Sequence, residues 1–200
     1  MAPPFSLLTF LFLSLSVSSL SHFATARKPT NSKDLVRSSC VHASYPNICL
    51  RTLSSYSGPA RTPGDLAQAA VKVSLSRAHK VSTYLTQTAG LKKGSKGEQA
   101  ALRDCVEQIS DSVDELRKTL SELQHLRKGT FRWQMSNAET WVSAALTNED
   151  TCLDGFHDVM STVKTDVKKK VRNVAKVTSN ALYLINRLDE SRGMRVNVDP

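Results

Sequence analysis

From residue 65 onward, apolar side chains recur at steps of three and four along four separate stretches, the period of an α-helix with one buried face. In the first stretch Val71, Leu75, Ala78, Ser82, Leu85 and Ala89 share a face that ends near Gly90. It follows the breaker-rich run Gly58-Pro59-Ala60-Arg61-Thr62-Pro63-Gly64, and Asp65, with Gln68 three residues on, is the expected N-cap. A polar linker, Leu91 to Gly97, leads to the second stretch, where Leu102, Cys105/Val106, Ile109, Val113, Leu116, Leu120 and Leu123 form the cleanest seam. That helix ends at Arg127-Lys128-Gly129, basic side chains and then a glycine, as suits a C-terminus. The third is expected from about Trp133, with Ala138, Trp141, Ala145, Asn148 and Cys152 on one side. The fourth carries Val167, Val171, Val174, Thr178, Ala181, Ile185 and Leu188. Ahead of all four, Lys33 to Tyr56 reads as two short helical pieces broken at Tyr45-Pro46. Long helices joined by short connections pack side by side. The expected fold is therefore all-α, an up-down-up-down four-helix bundle (65–192) behind an N-terminal helical hairpin (27–58).

The first 26 residues are a different material. Phe5 to Leu20 contains Phe, Leu, Val, Ser and one Thr, without a charge, and Ala24-Thr25-Ala26 then stands before Arg27 and Lys28. This is the pattern of a secretory signal peptide cut after Ala26; the apolar run, about 16 residues, is shorter than the roughly 20 needed to span a bilayer. No other segment is apolar enough to span one, so no membrane span is expected. Every Lys, Arg, Asp and Glu lies beyond the apolar segment, so the remainder keeps the whole net charge of +9. With 40% hydrophobic and 22% charged residues, that remainder can bury a core and is not a disordered chain. Only 6% aromatic residues, and few Gly and Pro, turn the balance away from β-sandwiches and toward helices.

The four cysteines, Cys40, Cys49, Cys105 and Cys152, imply disulfides in a secreted chain, with three possible connectivities. Zinc is disfavoured because no C-x-x-C or His pair has ligand spacing. The helical register selects among the connectivities. Cys105 and Cys152 lie almost equally far on either side of Gly129, and both sit on inner faces. If the second and third helices turn back at Gly129, these two cysteines are level and can be bridged, leaving Cys40 to pair with Cys49 across Tyr45-Pro46. The register requires helix through Thr147-Asn148-Glu149-Asp150.

These cysteines sit in recognisable surroundings. The opening Cys40-Val41-His42-Ala43-Ser44-Tyr45-Pro46-Asn47-Ile48-Cys49 resembles that of the plant invertase and pectin methylesterase inhibitor family. So do Ala101-Leu102-Arg103-Asp104-Cys105-Val106-Glu107, the long run Trp141 to Phe156 around Cys152, and Ser179-Asn180-Ala181-Leu182. The resemblance covers nearly all of 27–200. It implies a four-helix bundle with a helical hairpin, and cysteines paired first with second and third with fourth. It also implies an inhibitor rather than an enzyme, secreted to the apoplast and cell wall, that occludes the substrate cleft of pectin methylesterase. Invertase inhibitors of the family usually carry Pro-Lys-Phe ahead of the last cysteine. This chain has none, and Ser143-Ala144-Ala145-Leu146-Thr147 is more similar to the esterase-inhibitor side. Inhibition of a cell-wall or vacuolar acid invertase is the alternative. A related domain forms the pro-region of many plant pectin methylesterases; with the chain stopping at Pro200, an inhibitor of a separate enzyme is expected.

Catalytic motifs are missing: there is no G-x-S-x-G, no H-E-x-x-H and no glycine-rich phosphate loop. Glu122-Leu123-Gln124-His125 matches the Glu-x-x-His of di-iron bundles, but no second such pair exists to complete a site. The expectation is no catalytic residues, no metal and no cofactor. Two charged faces remain. Asp104, Glu107, Asp111 and Asp114 lie opposite the seam of the second helix, while Lys164, Lys168, Arg172 and Lys176 recur every four residues on the fourth, beside Lys169 and Lys170. The family resemblance marks Glu107, Asp111 and Asp114, with Thr151 and Asp154 flanking the fourth cysteine, as the partner-binding set, expected on one continuous exposed patch. The basic stripe suits anionic pectin rather than nucleic acid in a secreted protein, and a third reading is a wall-associated polyanion binder that inhibits nothing.

Overall fold

The described part of the chain folds into α1 (Ser32–Cys40), α2 (Pro46–Ser54), α3 (Pro63–Gly90), α4 (Lys96–Gln124), α5 (Phe131–Asp154) and α6 (Lys164–Val196). One 3-10 turn, Lys128–Thr130, leads into α5. The computed structural model describes residues 32–196 apart from 59, 92, 161 and 162, with side chains as far as 191. The signal-peptide reading, on 1–26, lies outside these residues. No helix among the described residues is long and apolar enough to cross a membrane.

The helix starts are set by side-chain caps, and one differs from expectation. Thr62, not Asp65, is the N-cap of α3: its hydroxyl accepts from the Asp65 backbone N–H, and the Asp65 carboxylate reaches back to the Thr62 backbone N–H. Pro63 occupies the first turn, where its missing N–H has no intrahelical partner to lose. The run Thr62-Pro63-Gly64-Asp65 is thus a capping box one turn earlier than the apolar pattern suggested. Likewise the linker after α3 is shorter than expected, because Ser95 caps α4 by accepting from the Glu98 backbone N–H at 3.1 Å. Gly94 ahead of it has φ +93°, a left-handed conformation that favours glycine.

The four long helices form a closed square. α4 packs on α3 and α5, and α6 packs on the same two helices, so α4 and α6 occupy diagonal corners. On α6 every expected seam residue from Val167 to Leu188 is buried, and on α4 all are except Val106 and Leu120, which are half-buried. On α3 the seam is rotated: Ser74 and Val81 are buried, while Leu75 and Ser82 are half-buried. On α5 the buried row is Phe131, Met135, Ala138, Val142, Ala145, Glu149 and Cys152, so the helix starts earlier than Trp133 and its inner line passes through Val142 and Glu149. Trp141 and Asn148, expected inside, are half-buried at the flank. Trp141 instead lies under the Lys118 ammonium, 4.5 Å from the ring centroid.

The hairpin is held at both ends. Cys40 and Cys49 are joined, their Cα atoms 5.6 Å apart. The buried Asn180 side chain on α6 accepts from the Tyr45 backbone N–H at 2.8 Å and donates to the Tyr45 carbonyl at 3.1 Å. One amide thereby meets both backbone polar groups of Tyr45, the residue just ahead of α2, which explains an otherwise unpromising asparagine on an apolar helix face. Val36 and Leu53 complete the docking by burial.

Candidate functional site

α4 and α5 are tied together at one end by the Cys105–Cys152 disulfide, whose Cα atoms are 4.5 Å apart. The α-helix is unbroken through Thr147–Asp150, as the register needs. Beside this bridge runs a shallow groove of about 420 Å³, edged by Asp104 and Gln108 from α4 and by Thr151 and Asp154 from α5. Glu107, Asp111, Asp114, Thr151 and Asp154 are all exposed. They are not equivalent. Thr151 and Asp154 share the groove with Asp104, an acid outside the expected five, whereas Glu107, Asp111 and Asp114 continue along the outer face of α4.

The charges grade along that face. Asp114 is paired with Arg117, which also lies 3.2 Å from His79 of α3, and Glu115 pairs with Lys118 at 3.3 Å. The C-terminal half of α4 is therefore largely self-neutralised. Toward its N-terminal end Asp104, Glu107 and Asp111 have no ion-pair partner among the described residues. On α5, Asp150 and Asp154 stand one turn apart in the last turns, with no basic residue to offset them. The Asp150 carboxyl is held above its ordinary range by partial burial and then by the Asp154 charge. Acids at a helix C-terminus also face the negative end of the helix dipole. An uncompensated acidic cluster here contributes nothing to the stability of its own helix end. Thr151 points its hydroxyl back to the Thr147 carbonyl at 2.8 Å, which leaves the oxygen's lone pairs to accept from outside.

Directly inward from this surface is a carboxyl that the sequence pattern did not reveal. Glu149 is wholly buried, and its Oε1 accepts from Ser112 of α4 at 2.7 Å and Thr178 of α6 at 3.0 Å, while Oε2 has no partner. Burial pushes its pKa up to about 8 against the lowering effect of the two hydroxyls, and Asp150 adds a small upward push. The group links three helices and touches no groove. It positions the α5 end that carries Thr151 and Asp154 and cannot itself meet a partner. Its signal was the strict four-three spacing from Phe131 to Cys152, in which 149 is an inner position whatever residue stands there.

The Glu-x-x-His decoy separates on inspection: Glu122 Oε1 accepts from Asn137 at 3.0 Å, and His125 Nδ1 lies 2.7 Å from the Ser121 carbonyl. No group of three or more His, Cys, Asp or Glu among the described residues is arranged to hold a metal.

Residues 34–184 match the family described as plant invertase/pectin methylesterase inhibitor. A protein named pectinesterase inhibitor 3 from Arabidopsis thaliana is 57% identical over 80% of this chain and 82% of its own length. Pectinesterase inhibitor 9 from the same plant is 39% identical over 93% and 96%. A crystal structure of a mutant form of an Arabidopsis pectin methylesterase inhibitor superposes with a TM-score of 0.62 over 74% of this chain and 92% of that one; at 23% identity it attests the fold. A four-cysteine helical bundle matched along most of its length by this family's pattern, and by relatives named as inhibitors rather than as enzymes, belongs to the plant invertase/pectin methylesterase inhibitor family.

Proposed function

We propose that the protein is a secreted inhibitor of pectin methylesterase that works by steric occlusion, laying the α4/α5 corner over the enzyme's substrate cleft. The observation that carries this reading is the 57% identity to a pectinesterase inhibitor across four-fifths of both chains. Rigidity supports it: the Cys105–Cys152 disulfide and the buried Glu149 tie fix the geometry of the corner before any encounter. A preformed surface loses little conformational entropy on binding. Asp104, Glu107, Asp111, Thr151 and Asp154 supply the polar contacts, the acids steering toward a basic rim on the enzyme. Asp114, tied to Arg117, plays the smaller part. No chemistry passes between the proteins, so inhibition is reversible and stoichiometric.

The site of action is the plant cell wall, consistent with disulfides that need an oxidising compartment and with the leader-like first 26 residues. The consequence is that wall pectin stays methyl-esterified. Acid invertase is the other target class of the family, and no feature of the corner favours it. The test is a side-by-side assay of purified plant pectin methylesterase and acid invertase with the same inhibitor preparation. Inhibition of the esterase alone is expected; inhibition of invertase alone would sink the proposal.

A further inference from the structure

The acidic corner accounts for α4, but the net charge of +9 lies elsewhere. Across the diagonal, Lys164, Lys168, Arg172 and Lys176 follow one another along α6 at single-turn spacing, a row about 18 Å long. Two contiguous grooves flank this row. One, of about 520 Å³ between α6 and Ile48 of α2, includes Thr165, Lys169 and Asn173 in its walls; the other, of about 360 Å³ between α6 and α3, includes Arg77, Lys80 and Lys170, with Asp166 as its one acid. Lys72 of α3 extends the basic surface past Lys80.

Most of these cations have no acid among the described residues to neutralise them. Lys72, Lys80, Lys168, Lys169 and Arg172 have no ion-pair partner among the described residues. Arg77 hydrogen-bonds the neutral Asn173 side chain, and its guanidinium is held below its ordinary value by burial and by the nearby charge of Arg51. Lys170 and Lys176 rest over Tyr84 and Tyr45, at 4.6 and 5.3 Å from the ring centroids, which orients their ammonium groups without cancelling them. Concentrating like charges destabilises the bundle, and a surface that tolerates this has a counter-charge outside the chain.

We propose that the two grooves along α6 bind a linear polyuronate, the polycarboxylate chain that remains when the methyl esters of pectin are hydrolysed. The row of cations matches a linear polymer with a carboxylate on every sugar, and the ammonium, hydroxyl and amide walls match sugar hydroxyls. The choice of polyuronate rests on the proposed function, because an inhibitor of ester hydrolysis works beside that polymer; the groove and its unpaired charge do not. Because α4 and α6 are diagonal, the polymer and the enzyme occupy opposite faces and can be held together. The inhibitor would be retained where de-esterified stretches border esterified ones.

The test measures binding of the disulfide-intact chain to polygalacturonate and to fully methyl-esterified homogalacturonan by affinity electrophoresis, without enzyme. Two variants remove equal charge, Lys168→Gln/Arg172→Gln in the groove and Arg127→Gln/Lys128→Gln at the other end of the bundle. The expected result is binding to polygalacturonate that falls steeply with salt, is absent for the esterified polymer, drops at least tenfold in the groove variant and changes less than threefold in the other. Equal losses in both variants would assign binding to net charge and overturn the proposal, as would equal binding of the esterified polymer. Binding to phosphatidylserine vesicles in place of polygalacturonate would also overturn it. Circular dichroism of each variant guards against misfolding, and Lys80→Gln on α3 gives an independent groove variant. Esterase inhibition is assayed separately, so failure here leaves the proposed function standing.

Discussion

Two diagonal corners of one bundle carry opposite charge by different means. The α4 corner is acidic on a basic protein, with Asp104, Glu107 and Asp111 unpaired among the described residues, and with Asp150 and Asp154 set against the dipole of their own helix. It is braced from behind by a disulfide and by a three-helix hydrogen-bond tie. The α6 corner is basic along a single row, flanked by grooves and stacked on tyrosines, and no covalent link fixes it. Rigid bracing suits recognition of one folded partner, where misplacement of a contact is costly. A soft row of lysines suits a polymer that can adapt its own shape. A single inner scaffold therefore supports two kinds of surface, and the variants below separate them.

The largest effect is expected from Cys152→Ala. It strands Cys105 and releases a loop of 47 residues, costing roughly 2–5 kcal/mol of stability by denaturant melting. Esterase inhibition should fall with it, while polyuronate binding, measured below the melting temperature, should persist. Loss of both together would mean the two corners are not independent.

Glu149→Gln probes the bracing through pH. The folded state holds a proton up to about 8 that the unfolded carboxyl releases near 4.5, so native stability is fully present below the lower value and declines as pH rises through that window. The slope is at most about 1.4 kcal/mol per pH unit. Wild-type denaturation midpoints should fall between pH 5 and 8, and those of Glu149→Gln should stay flatter. Parallel profiles would show that the carboxyl is not the titrating group.

Asn180→Ala tests the hairpin clamp. It leaves the Tyr45 N–H without its partner, while the Tyr45 carbonyl keeps the Cys49 N–H, and should cost about 1–3 kcal/mol. Limited proteolysis should then cut first within 32–56, leaving the bundle intact.

The α6 seam was legible because six of its seven positions are apolar, with Thr178 the one hydroxyl among them, and the Cys105–Cys152 register because both cysteines are measured from one turn at Gly129. The α5 seam was misread by one position for a physical reason: a glutamate on the inner line and a tryptophan beside it invert the usual ranking of apolar over polar, and only tertiary hydroxyls on α4 and α6 make Glu149 acceptable inside. Thr62 was passed over as a cap because the apolar period begins after Asp65. Asp104 was visible as an acid of the outer face, but its place in a groove with Thr151 and Asp154 depends on the spacing of two helices, which no one-helix pattern contains. The basic row was visible; that α3 contributes Arg77 and Lys80 to it was not.

The account rests on the α4 corner being the face that meets the esterase, and a pair of charge reversals addresses that directly. Glu107→Lys/Asp111→Lys and Lys168→Glu/Arg172→Glu are compared with wild type for inhibition of one purified pectin methylesterase on highly esterified pectin. All these residues are exposed or half-buried, and folding stability should shift by only about 0.5 kcal/mol in each. The α4 variant should weaken inhibition at least tenfold, about 1.4 kcal/mol, and the α6 variant by less than threefold. Full inhibition by the α4 variant together with loss in the α6 variant would place the enzyme on the opposite corner and contradict the account.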